Sequence, residues 1–288
     1  MLFEEELQKR LLTPDLLVTS GSCLYGTNTP ISDVDSRGFI LPPFLSVIGV
    51  RNFEQYSSNA EDRIIFSLKR FMDLAKGSDP SITECLFVPE DKILAISSIG
   101  EKIRKNRNLF LSKRIYFRVL GYSNSEWRKA KGVRLEVSKR TVTADNVIND
   151  LRNLFKPDKL DMDQIIEILD KNLERKEIKS TNDLGEKRKK EFWIYGFGVS
   201  AAAHSIRLCQ EIKELLLTSF ITFPRPNADV LLGIRQGKYN YSEVEEMYNT
   251  AVSETESTFE KSSLPKKPDE KAIGELYTEI VKEHFNIP

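Results

Sequence analysis

The sequence predicts an α+β protein, with short strands gathered in the first hundred residues and helices in the rest. Three observations predict this. Apolar runs at Leu16-Leu17-Val18 and Phe39-Ile40-Leu41 bracket a stretch of small and polar residues from Gly21 to Arg37. Ile64 and Ile65 favour a strand, whereas Phe66, Leu68, Phe71, Met72 and Ala75 follow helical spacing. In the later chain, Ile165, Ile168, Leu169 and Leu173 recur at helical intervals, and no repeated βαβ pattern or internal repeat stands out.

The elements follow in order. Glu4 to Leu12 reads as an amphipathic helix stopped by Thr13-Pro14. Leu16 to Ser20 is a first strand, Gly21-Ser22 a turn, and a short helix runs past Tyr25. Val34 to Leu41 reads as a second strand ended by Pro42-Pro43, and Phe44 to Val50 as a helical turn or short strand. A strand near Asp62 passes into a helix closing at Gly77. Leu94 to Phe110 reads as a basic helix. Arg175 to Lys190, with its charge runs, reads as a loop. A helix runs on to about Phe223, Asn227 to Ile234 starts another, and Ser242 with Glu245 suggests a capping box. The last helix spans Glu270 to His284.

Composition bounds the function. The 288 residues suit one large domain or two ordinary ones, and no apolar run approaches membrane-spanning length. The start, Met1 to Glu6, is acidic and lacks a signal peptide's basic and apolar parts. Cys23, Cys85 and Cys209 lie far apart without metal spacing, which predicts free thiols and a cytoplasmic protein. Two histidines exclude a His-rich metal centre. Formal net charge is zero, but residues 1–100 hold 9 basic and 14 acidic side chains, and residues 101–140 hold 13 and 3. An acidic module followed by a basic segment suits a polyanionic substrate. Solvated helices would give the same charge run.

The chemistry concentrates in Gly21 to Arg37. On a strand, Asp33 and Asp35 would share one face, with Val34 buried behind them. Paired carboxylates repel each other unless a cation lies between them, and Mg²⁺ favours a few carboxylates together with phosphate oxygens. A glycine turn at Gly21-Ser22 offers backbone N–H groups and a hydroxyl to phosphate.

Gly-Ser followed about ten residues later by Asp-h-Asp-h resembles the signature of the DNA polymerase β nucleotidyltransferase superfamily. The fuller wording, Gly21-Ser22 with Tyr25-Gly26, then Pro30, Ser32-Asp33, Asp35 and Arg37-Gly38, resembles a branch found in bacteria and phages. The resemblance implies a small mixed sheet with flanking helices over residues 1–108. It also implies a helical domain over 109–288 that closes over the cleft. The implied reaction is transfer of NMP from an NTP to an acceptor hydroxyl with release of pyrophosphate, with Mg²⁺ (or Mn²⁺) held by Asp33, Asp35 and a third carboxylate. Phe66-Ser67-Leu68-Lys69 and Phe71 resemble the stretch that follows this third carboxylate, which makes Asp62 the candidate. A helix N-cap is its plainer reading. Gly21, Ser22, Tyr25 and Arg37 would meet nucleotide. His204-Ser205-Ile206-Arg207-Leu208 resembles a family helix whose His204 and Arg207, on one face, would meet triphosphate or acceptor. The family pattern has an Asp and a Lys where Gly198 and Ser200 stand.

Two further patterns are weighed. Gly196-Phe197-Gly198-Val199-Ser200-Ala201 nominally matches a dinucleotide fingerprint, but no acidic residue ends a following strand at the right distance. Glu84, among apolar neighbours, reads either as a further cleft residue or as a solvated glutamate. RNA is the expected acceptor, reached through the basic segment 102–140. A protein-modifying, antitoxin-type transferase and a silent nucleotide- or RNA-binding module are the alternatives.

Overall fold

The computed structural model describes residues 2–30, 32–58, 60–139 and 186–288. The expected periodicity at Ile165 to Leu173 and the Thr181-Asn182-Asp183 stretch lie outside the described residues. After α1 (Phe3–Leu12) come β1 (Leu16–Thr19), α2 (Gly21–Tyr25), β2 (Ser36–Ile40) and α3 (Phe44–Val47). Then follow β3 (Gln55–Ser58), β4 (Arg63–Ser67), α4 (Leu68–Lys76), α5 (Pro80–Cys85), β5 (Ile93–Ile96) and α6 (Ser98–Lys105). The later elements are α7 (Arg114–Lys139), α8 (Glu186–Tyr195), α9 (Val199–Thr218), α10 (Ala228–Arg235), α11 (Tyr241–Lys261) and α12 (Glu270–Phe285). The chain is thus α+β, as its sequence predicts.

The five strands form one sheet in the order β3-β4-β2-β1-β5. It is mixed: β2 and β4 run parallel, and the other pairs are antiparallel. Gly38 is obligatory in β2, because a Cβ there would collide with the Leu16 carbonyl of β1. One sheet face packs Leu16, Val18 and Phe39 against Phe71 of α4. This core continues into Leu208, Ile212 and Leu215 of α9 and into Ile273, Leu276 and Ile280 of α12. The opposite face is smaller, with Leu11, Leu17, Ile40 and Ile65. A second helical core gathers Trp127, Phe197, Ile206, Leu231 and Tyr248.

Several expectations are corrected. The second strand begins at Ser36, so Asp33 to Asp35 form the irregular lead into it, and Val34 is 60% exposed instead of buried. Leu94 to Phe110 is not one helix. β5 pairs with β1 before Ser97 caps α6. Residues 186–190 of the expected loop begin α8. The helix expected to reach Phe223 ends at Thr218, where Ser219 turns left-handed. The capping box of α11 is Asn240 with Glu243, two residues before the expected pair. A helix, not a strand, leads into Gly196, so the dinucleotide fingerprint lacks its βα setting. Among the described residues, no helix is long and apolar enough to cross a membrane.

Candidate active site

The ends of β1, β2 and β4 build the site. Ser20 N–H donates to the Asp35 carbonyl and Ser36 N–H to the Asp62 carbonyl, both at 2.9 Å. These bonds extend the two ladders and bring the three chain segments to one end of the sheet. Asp35 and Arg37, two apart, share a face, with Arg37 opposite Ile64 in the parallel register. Asp62 is left-handed, with φ 43°, at the turn before β4. The N-cap of α4 is Ser67, so Asp62 does not cap that helix.

Gly21 closes the other side. It has φ 65°, and a Cβ there would collide with the Asp35 carboxylate. Glycine is therefore needed twice over, for the backbone conformation and for the close approach. The cleft encloses about 630 Å³. Gly21, Ser22, Tyr25, Asp33, Asp35, Arg37, Asp62, His204 and Arg207 all line it. Sequence reasoning missed Ser20, Thr27 and Arg235 in the same wall. Ser20 Oγ is buried there, without a hydrogen-bond partner among the described residues.

The electrostatics are uneven. Partial burial raises the Asp35 carboxyl above its ordinary value, Arg37 opposes this, and Asp62 and Asp33 add to it. Such oxygen donors suit a hard divalent cation. Among the described residues, no three His, Cys, Asp or Glu side chains already stand together as a ligand set. The His204 ring is 45% exposed, with Nδ1 4.0 Å from Glu126. Desolvation and then the Arg207 charge push its pKa below the ordinary value, so it is neutral at pH 7.

Tyr25 and Arg207 stand differently. Arg207 is buried, and its guanidinium donates to Glu84 at 2.7 Å and Glu211 at 2.6 Å. It lies 3.8 Å from the centre of the Tyr25 ring. The Tyr25 hydroxyl donates to Glu84 at 2.7 Å. Glu84 is thus neither solvated nor free in the cleft. Arg225 continues the chain of charges, donating to Glu214 at 2.6 Å. At the departure from the family pattern, Ser200 N–H donates to Glu191 at 3.1 Å, and its hydroxyl also donates to Glu191.

Part of the basic segment is matched within the chain. Lys102 meets Glu279 and Glu283, Lys113 donates to the Phe259 carbonyl, and Lys131 meets Glu245.

A mixed sheet whose end gathers a glycine turn and three aspartates, backed by helices, is the polymerase-β-type nucleotidyltransferase architecture. Residues 4–181 match the family described as the RNA repair pathway DNA polymerase beta family, RlaP, and the chain belongs to it. The chain is also similar to an uncharacterized 38.9 kDa protein of Enterobacteria phage T4 from the nrdC-mobD intergenic region. The two are 24% identical over 299 residues, covering 84% of this chain and 88% of the relative. No solved structure matches the chain significantly.

Proposed function

We propose that the protein is a metal-dependent nucleotidyltransferase that transfers NMP from an NTP to an acceptor hydroxyl with release of pyrophosphate, with RNA 3′ ends as the favoured acceptor. The observation that carries this reading is the contact of the Gly21 turn with Asp35 in a cleft shared by Asp33, Asp62 and Arg37. The family's RNA-repair description supports RNA as acceptor. In this reading residues 1–108 carry the chemistry and 109–288 complete the cleft.

Asp33, Asp35 and Asp62 would hold Mg²⁺ or Mn²⁺. The bound cation supplies charge neutralisation and makes the attacking oxygen easier to deprotonate. Gly21 N–H, Ser22 and the buried Ser20 hydroxyl bind phosphate oxygens. Arg37 offsets their charge, and Asp62 takes the proton from the acceptor hydroxyl. Neutral His204 offers a hydrogen bond to nucleotide or acceptor without adding charge. Tyr25 and Arg207 form the wall beneath the nucleotide.

The test is incubation with each α-³²P-labelled NTP, Mg²⁺ or Mn²⁺, and RNA, beside Asp33→Asn. Label in RNA that the variant abolishes is expected. Label in protein alone would replace RNA with a protein acceptor. Absence of label with every NTP and acceptor would overturn the transferase reading.

A further inference from the structure

A second groove, of about 690 Å³, lies between α4 and α7, outside the catalytic cleft. Arg70, Asp73 and Gly77 line one wall, and Arg114, Phe117 and Arg118 the other. Each set follows helical spacing and so faces the groove together. The acidic members are already engaged. Asp73 pairs with Lys69 at 3.2 Å and Lys76 at 3.3 Å. Asp79, on the rim, accepts the Ile82 N–H at 3.2 Å. The arginines are far less so. Among the described residues Arg70 and Arg118 have no carboxylate at ion-pair distance, and Arg114 reaches Glu270 only at 3.9 Å. The balance of the groove is therefore positive.

The groove also presents an aromatic ring. Phe117 is 65% exposed, yet edge contacts with Tyr116 and Phe259 hold it in place. Arg118 lies 5.2 Å from the centre of the exposed Tyr122 ring, one turn further on. A fixed, solvent-facing ring beside guanidinium groups that are at most loosely paired among the described residues suits base stacking combined with phosphate contact. The groove and the catalytic cleft meet the same short stretch of chain: Asp79 lines the groove, and Ser81, two residues on, lines the cleft.

We propose that this groove binds the single-stranded part of the RNA acceptor upstream of its 3′ end. Phe117 stacks a base, and Arg70, Arg114 and Arg118 hold phosphates. The proposal rests on the transferase reading for its choice of RNA, but it is tested by binding alone.

The experiment is fluorescence anisotropy of the full chain with a fluorescein-labelled single-stranded RNA of about ten nucleotides, across a salt series. Phe117→Ala is expected to weaken binding roughly five- to hundredfold. Arg118→Gln is expected to lower the slope of log affinity against log salt by about 0.7. Mg·NTP binding, measured by calorimetry, should be unchanged in both. Equal RNA affinity in wild type and both variants, or no RNA binding by the wild type, would overturn the proposal. Failure of NTP labelling with RNA binding intact would overturn the transferase reading and leave the groove standing.

Discussion

The cleft edge and the buried cluster beneath it use the same residue types to opposite ends. At the edge, Asp33 and Asp62 are exposed, Asp35 is half-buried, and the pull of Arg37 does not offset the burial and repulsion that raise Asp35. Beneath, Glu84, Arg207 and Glu211 are buried, with the guanidinium shared between the two carboxylates. Charges matched inside the chain hold it together. Charges left unmatched are positioned for something that arrives from solution.

The sharpest way to break this contrast is to empty the buried cluster. Arg207→Ala leaves buried Glu84 without its cation and Glu211, among the described residues, with only Arg225 at 3.9 Å, and should cost about 3–5 kcal/mol of stability, read by urea denaturation. A change below about 1 kcal/mol would remove the structural half of the comparison. Asp35→Asn should do the reverse, lowering nucleotide transfer by about a hundredfold or more with an unchanged or slightly higher melting temperature. A large fall in melting temperature with activity intact would make Asp35 structural.

Acidity sharpens the contrast further. Burial pushes the Glu211 carboxyl up to about 7, above its unfolded value, while Arg207 opposes the shift. A proton held by the folded state but released by the unfolded one makes stability fall as pH rises. The loss should approach about 1 kcal/mol per unit between roughly pH 5 and 7. Glu211→Gln should flatten that slope in urea midpoints taken across this range. The smallest effect is expected at Val34. Val34→Ser, at an exposed site, should change stability by less than about 0.5 kcal/mol.

The sequence made the turn at Gly21 legible, because glycine beside small residues after an apolar run has few other uses. The strand-to-helix passage from Arg63 to Lys76 was legible through its change of period. β5 was not. Its exposed Leu94 and Ile96 blend with Ile99 and Ile103 into an apparent helical pattern, and only pairing with β1 makes it a strand. The burial of Glu84 depends on Arg207, 123 residues away. Its signal was a lone carboxylate ahead of Cys85-Leu86-Phe87-Val88, which calls for a buried partner that local sequence cannot supply. Asp33 and Asp35 were read from residue type and spacing, and Asp62 from the family resemblance of the stretch that follows it, but Val34 was placed on the wrong side because the strand was started two residues early.

The core that joins the sheet to α9 and α12 has a consequence for synthesis. Phe71 and Phe110 find part of their cover in side chains of α12, which leaves the ribosome about 170 residues after Phe110. At roughly 5–20 residues per second, that surface waits about 10–35 seconds for its partner. During this interval the apolar surface around Phe71 and Phe110 lacks part of its cover. A ribosome-stalled chain ending before Glu270 should accordingly be far more sensitive to protease than the full-length chain.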